Sequence, residues 1–352
     1  MFRSLFKNFP AASHAASIAI SLSLVLLVGM QVCFHDRRPK IFLLGDSAIG
    51  NYRLDPGQRL QDFMERRDTG VRVENWAEPG ATPLDFFLQY SRGSLVAGSP
   101  RSVVIALAPD KFLESTCAHR LDEDGVNLRW IPWDRTGVEF FRRLSPRERS
   151  VALVQQVSVP FYAVADVGRS LWIRYVQWPW ERSHMRTASI ERQRMIEKKS
   201  LEWGRAQDTE KIVDDRAFDD LPKARDAEFL VHSLREKGIE TKVIILPFGN
   251  PNLIRKTCSK RVLASHDTLI ARMRDWLEDL GVTYVDFNTA EERGHFPDSD
   301  WDDLDHLKAP SAFAYMSDRI CKSLVTSVSR PFQRPMSYVQ SGFPSENSGS
   351  RN

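Results

Sequence analysis

A serine hydroxyl is a poor nucleophile until a base takes its proton. The base is most often histidine, with a carboxylate behind it that fixes the tautomer and steadies the imidazolium. Two short motifs in the chain carry these residue types. Gly45-Asp46-Ser47 follows directly on the apolar run Lys40–Leu44, which places Ser47 on a strand-to-helix turn. Asp303-Leu-Asp-His306 sets a carboxylate and an imidazole three residues apart on one turn, so both can be presented together. Ser47, His306 and Asp303 are thus the residue types that a base-assisted serine nucleophile needs. Each motif also has a plain structural reading. Asp46 or Ser47 could cap a following helix, and Asp298–Asp305 could be an acidic surface loop with a bystander histidine.

These loops need strands to hold them. Lys40–Leu44, Val71–Trp76, Ser102–Ala108, Lys242–Leu246 and Val282–Phe287 are short apolar runs closed by Gly or Pro turns or by polar residues, which predicts buried strands. Leu54–Arg66, Pro83–Tyr90, Asp226–Lys237, Ser265–Leu280 and Pro310–Thr326 read as helices between and after them. Gly281 stands where a C-terminal cap belongs. Alternating strands and helices imply a mostly parallel sheet covered on both faces. Ligands of such sheets bind at the carboxyl ends of the strands. The loops to watch are therefore Gly45–Ile49, Ala77–Thr82, Ala108–Phe112 and Pro247–Leu253.

The order of the motifs resembles the SGNH hydrolase superfamily of GDSL-type esterases and acyltransferases. The serine follows the first strand, Gly80 stands in a tight turn after the second, and Asp-x-x-His precedes the last helix. The resemblance covers about residues 40–326, less an insertion. It implies a three-layer α/β sandwich on a five-stranded, mostly parallel, flavodoxin-like sheet. It also implies an oxyanion hole to which the backbone N–H groups of Ser47 and Gly80 contribute. The family's third block, Gly-x-Asn-Asp, supplies an asparagine to that hole; here the block reads Ala108-Pro109-Asp110-Lys111-Phe112, with Asp110 in the asparagine's place. An ionised carboxylate facing a developing oxyanion would repel it. Asp110 must then point away, be protonated or be neutralised, for which Lys111 is at hand, or the site is weak or dead. The Pro-x-x-Phe block and Pro247-Phe-Gly-Asn-Pro251 are similar to the D-alanyl transfer protein of teichoic-acid D-alanylation and to the anchored SGNH proteins of surface-polysaccharide O-acetylation. The Asp-Ser pair is closer to the acetylation branch. In those systems the SGNH protein works beside a multi-spanning membrane O-acyltransferase, which the resemblance makes the expected partner.

Composition agrees with a folded body: 42% hydrophobic and 27% charged over 352 residues. A formal charge of +3, with arginines interleaved among Asp and Glu, argues against a dedicated nucleic-acid binder. Gly45–Gly50 lacks the Lys and Ser/Thr of a phosphate loop, no dinucleotide fingerprint occurs, and no cofactor is expected. His119, His184, His232, His266 and His295 show no ligand spacing, and the Asp298–Asp305 run lacks the EF-hand glycine and glutamate, so no metal is expected. None of the four cysteines (Cys33, Cys117, Cys258, Cys321) forms a CxxC pair. The last three could supply one disulfide if the body lies outside the cytoplasm.

Residues Ala15–Phe34 are uninterrupted by charge and long enough to span a hydrocarbon core of roughly 30 Å. A cleaved signal peptide is the rival reading, but Met30-Gln31-Val32 before Cys33 offers no small-x-small site. Both flanks are basic, which leaves orientation open. The expected organisation is a tail and single transmembrane helix over 1–39, an SGNH-like α/β domain over 40–330, and a disordered tail over 331–352. A mainly helical insertion at about 117–225 is rich in Trp and Arg; its tryptophans suit either core packing or a membrane interface. The functional expectation is a membrane-anchored serine O-acyltransferase or esterase, with its catalytic domain on the extracytoplasmic side, acting on a cell-envelope polysaccharide or related glycan. The alternative is a non-catalytic scaffold or glycan-binding partner of the same fold.

Overall fold

The computed structural model describes residues 38–49, 57–78, 80–112, 128–156, 221–249, 260–301 and 306–328. Its centre is a five-stranded, all-parallel sheet in the order β2-β1-β3-β4-β5. The strands are β1 Lys40–Leu44, β2 Arg72–Asn75, β3 Ser102–Leu107, β4 Glu240–Ile245 and β5 Thr283–Asp286. This is the flavodoxin-like order, in which the chain reverses its direction of travel across the sheet between β1 and β3.

Side-chain alternation sorts the strands onto two cores. Phe42, Leu44, Val103, Ile105, Leu107, Val243 and Ile245 point to one face. Ile41, Leu43, Val104, Ala106, Ile244, Leu246 and Val285 point to the other. In the inner strands β1, β3 and β4 both faces are largely apolar because helices cover both, so these read as hydrophobic runs.

Eight helices are described. They are α1 Leu60–Arg67, α2 Pro83–Ala97, α3 Arg135–Arg143, α4 Pro146–Gln156, α5 Pro222–Glu236, α6 Lys260–Asp279, α7 Ala290–Arg293 and α8 Pro310–Val328. Residues of α2, α5 and α6 fill the first core, and residues of α1 and α8 the second. The expected three-layer sandwich is thus present. α5 and α6 begin earlier than expected, at Pro222 and Lys260, and two other helix boundaries differ from the sequence reading for identifiable reasons. The helix expected from Leu54 begins at Leu60, because the Asp62 carboxylate accepts from the Gly57 and Arg59 N–H groups and fixes a turn ahead of it. α2 runs on past the expected end at Tyr90 to Ala97, through Ser91-Arg92-Gly93-Ser94. Gly93 is there for space: a Cβ would lie 2.7 Å from Phe42 and 2.8 Å from Trp76. The glycine lets α2 close on the sheet.

The described part of the insertion is helical. Phe140 of α3 stacks on Phe87 of α2 at 4.6 Å and lies 6.2 Å from Phe229 of α5, which joins the insertion to the first core. Its expected end at about residue 225 falls inside α5, the crossover helix leading to β4. Trp130 is buried in that core, whereas Trp133 is 86% exposed. Trp172, Trp178, Trp180 and Trp203 lie outside the described residues. So do 15–34, the expected membrane anchor, and 331–352, the expected tail. Among the described residues no helix is long and apolar enough to cross a membrane. Cys321 is a free thiol whose pKa burial pushes up to about 11; Cys33, Cys117 and Cys258 lie outside the described residues.

Candidate active site

Two loops 259 residues apart meet at the carboxyl edge of the sheet: His306 Nε2 lies 2.8 Å from Ser47 Oγ. Ser47 leaves the end of β1, beside the reversal point where open parallel sheets bind their ligands. With the imidazole neutral and its proton on Nδ1, the hydroxyl donates to Nε2, as removal of its proton requires.

The turn that carries Ser47 is built tightly. The buried Asp46 carboxylate accepts from the Ala48 N–H at 2.9 Å, closing a local Asx turn. Asp46 thus caps the turn, and the next described helix begins at Leu60. Gly45 precedes it without room for a side chain: a Cβ would stand 3.0 Å from both Ala106 Cβ and Ile49 Cδ1. Both ends of the turn are held by side-chain amides. Gln89 of α2 accepts from the Gly45 N–H at 3.0 Å and donates to the Gly45 carbonyl at 2.9 Å. Asn75 of β2 donates to the Ile49 carbonyl at 2.7 Å while accepting from the Ala77 N–H at 3.0 Å.

The second loop of the site hangs from the same peptide. Glu78 N–H donates to the Gly45 carbonyl at 3.1 Å. Two residues later Gly80 takes a positive φ of 65°, a conformation that costs glycine little. Arg92 of α2 pairs with the Glu78 carboxylate, and its guanidinium lies 5.5 Å from the Trp76 ring and 5.7 Å from that of Trp130. The insertion therefore packs against the support of the Gly80 loop. Ser47 and Gly80 offer backbone N–H groups that, among the described residues, donate to no other group.

His306 is held differently. Trp301 and Leu307 form an isolated antiparallel bridge, and the Asp300 carbonyl accepts from the Lys308 N–H at 2.7 Å. Trp301, Leu307 and Phe296 are buried in the second core, and the Trp301 indole donates to the Phe296 carbonyl at 3.3 Å. The arm that delivers the imidazole is thus pinned immediately beside it. Asp303 falls between the two halves of the bridge in sequence and lies outside the described residues. Asp110 belongs to a 3-10 turn, Pro109–Phe112, that continues from β3 at the same edge; its side chain lies outside the described set.

The structure thus brings together Ser47 and His306, and it hangs the Gly80 loop from the Gly45 carbonyl at the start of the Ser47 turn. Sequence reading missed Gln89 and Asn75. Gln89 had a visible signal: it is a lone amide in the run Phe86-Phe87-Leu88-Gln89-Tyr90, whose other members are all buried. The loop after β4 shows the same device. There Asn288 donates to the Leu246 carbonyl at 2.8 Å and accepts from the Phe248 N–H at 2.7 Å. Among the described residues no three His, Cys, Asp or Glu side chains gather as a metal site would require.

No family model and no curated protein matches the chain. Among solved structures it is similar to a lipase/acylhydrolase from Enterococcus faecalis (12% identity, 84% of this chain and 99% of that one, TM-score 0.40). It is also similar to a GDSL-like lipase from Bacteroides thetaiotaomicron (10% identity, 88% and 99%, TM-score 0.39). A third is a carbohydrate acetylesterase family member from Sinorhizobium meliloti (11% identity, 82% and 97%, TM-score 0.35).

Proposed function

We propose that the chain is a serine-dependent acyl-transfer enzyme of the SGNH type, either an O-acyltransferase or an esterase, acting on a cell-envelope polysaccharide or related glycan. The observation that carries this reading is the 2.8 Å contact between His306 Nε2 and Ser47 Oγ. Ser47 Oγ attacks the acyl carbonyl as its proton passes to His306 Nε2. The oxyanion of the tetrahedral intermediate meets the N–H groups of Ser47 and Gly80. Collapse breaks the bond to the leaving oxygen, which takes the proton from His306, and leaves an ester on Ser47. A sugar hydroxyl or water then gives its proton to His306 and attacks that ester; collapse breaks the bond to Ser47 Oγ, which takes the proton back from His306. Asp303 orients His306 by accepting from Nδ1. Residues 15–34 anchor the chain in a membrane with the α/β domain on the extracytoplasmic side, beside a multi-spanning O-acyltransferase that brings the acyl group across.

The test is covalent labelling of the full chain with a serine-reactive fluorophosphonate, located by peptide mass. The wild type is labelled at Ser47 and Ser47→Ala is not. His306→Gln labels slower by about 10²–10⁴-fold, the usual contribution of a positioned general base. Undiminished labelling of Ser47→Ala would remove the assignment. Unchanged glycan O-acylation in cells carrying Ser47→Ala would favour the non-catalytic scaffold.

A further inference from the structure

We infer that Gln89 is a positioning residue for the nucleophile, whose carboxamide sets the Gly45 peptide and through it the direction of the Ser47 hydroxyl and N–H. This role rests on Ser47 being the nucleophile. Gly45 stands one residue beyond the sheet ladder, since the pairings of β1 end at Leu43↔Asn75 on one side and Leu44↔Ile105 on the other. Its N–H and C=O must find partners elsewhere, because buried backbone groups are costly to leave unpaired. One side chain satisfies both. Gln89 Oε1 accepts from Gly45 N at 3.0 Å and Nε2 donates to Gly45 O at 2.9 Å, in the manner of a strand neighbour.

Two such bonds to one residue fix its orientation as well as its position. The side chain of Gln89 is itself 2% exposed, in the buried run of α2, so competing water is excluded and its rotamer is confined by packing. The Gly45 carbonyl also accepts from Glu78 N at 3.1 Å. A rotation of this peptide therefore moves the Ser47 turn and the Gly80 loop relative to each other, and these are the two sources of oxyanion donors. A residue needed only for packing would be served by methionine, which has the same length and no polar atoms to satisfy. The bidentate amide is what a fixed nucleophile turn requires.

The experiment compares the second-order rate of fluorophosphonate labelling at Ser47 in the full chain for wild type, Gln89→Met and Gln89→Glu, with Ser47→Ala as the blank. Circular dichroism at the assay temperature confirms that each variant is folded. Gln89→Met loses both bonds. Gln89→Glu keeps the acceptor for the Gly45 N–H and loses the donor to its carbonyl, and it is read alone should the first variant not fold. Each is expected to label about tenfold to a hundredfold slower, the scale on which displacement of a reacting group by up to an ångström is felt. The pH dependence of the rate keeps its midpoint, because His306 is held by a separate arm. A folded variant that labels within about twofold of wild type, its melting temperature lowered or not, would reduce Gln89 to a structural role. Absence of labelling at Ser47 in the wild type would instead overturn the nucleophile, and the role of Gln89 with it.

Discussion

Gly45→Ala tests how little freedom the Ser47 turn has. The added Cβ would lie 3.0 Å from Ala106 Cβ, 3.0 Å from Ile49 Cδ1 and 3.1 Å from Ile49 Cγ1. Carbon atoms rest at about 3.5–4.0 Å, so the shortfall is roughly 0.5–1 Å on two sides at once. Ala106 cannot yield, because β3 is paired with β1 on one edge and with β4 on the other. Ile49 is fully buried and has little room to turn. The relief must come from the turn, against the two Gln89 bonds. Overpacking of this kind costs about 1–3 kcal/mol. For a domain of this size that corresponds to a melting temperature lower by about 2–10 °C. A shift of about half an ångström also stretches the 2.8 Å contact between Ser47 and His306 towards the limit of a useful hydrogen bond. Ester hydrolysis and fluorophosphonate labelling should both fall by about tenfold to a hundredfold. Adding Ala106→Gly to the variant removes one of the two clashes and should recover part of both losses. A Gly45→Ala chain that keeps wild-type melting and reacts at the wild-type rate would refute the claim that packing under Gly45 sets the position of Ser47.

Two further predictions concern the scaffold. Lys242 is fully buried at the opposite edge of the sheet, its ammonium donating to the Ser323 carbonyl of α8 at 2.6 Å. Burial pulls its pKa below the ordinary 10.5 against the opposing pull of Glu240. The unfolded chain then holds more protons than the folded one between the two pKa values, so this group makes stability rise with pH as it approaches 10.5. Lys242→Met should lack that contribution and should be as stable as wild type at pH 7, or more stable by about 1 kcal/mol, in urea unfolding. Asp134 caps α3 by accepting from the Gly137 N–H at 2.8 Å, and it pairs with Lys237 at 2.8 Å. Burial pushes its carboxyl up, but the Lys237 ammonium and the backbone N–H groups of Gly137 and Thr136 together hold it below the ordinary 3.8. Asp134→Ala should cost about 0.5–2 kcal/mol. That difference should be complete at neutral pH and shrink as the pH falls through the lowered folded-state value, which parallel acid titrations of melting temperature would show.

Most of the fold could be read from the chain because both faces of the sheet are covered. Strands β1, β3 and β4 therefore announce themselves as apolar runs, closed by turns at Gly45, Pro109 and Pro247, whereas the edge strands β2 and β5 carry polar residues such as Arg72, Glu74 and Asp286. Ser47 and His306 were legible for the same reason: their motifs stand directly beyond a strand end and before the last helix, where the architecture puts working loops. The true length of α2 was hidden, because Gly93 marks a close approach to Phe42 and Trp76 that only the packed structure reveals. Asn75 was hidden by a different cause: its partners are backbone groups of Ile49 and Ala77, and a backbone group leaves no trace in residue type. Gln89 stood out as the one amide in an apolar run, but its partner, the backbone of Gly45, did not.

The two halves of the site are supported from opposite sides of the sheet. The Gly45 clamp comes from α2, whose apolar residues lie in the first core. The His306 arm is fixed through Trp301 and Leu307, which lie in the second. Ser47 and His306 meet directly at 2.8 Å. The sheet between their supports helps to set that separation, chiefly β1, β3 and β4, whose residues are mostly buried. A parallel sheet with both faces packed is about as stiff a spacer as a protein of this size can build. That stiffness lets a hydroxyl and an imidazole from distant parts of the chain meet. The amide clamps and the Trp301–Leu307 bridge lie at the sheet's carboxyl edge, where a small rotation of one peptide can move Ser47 or His306 without disturbing either core.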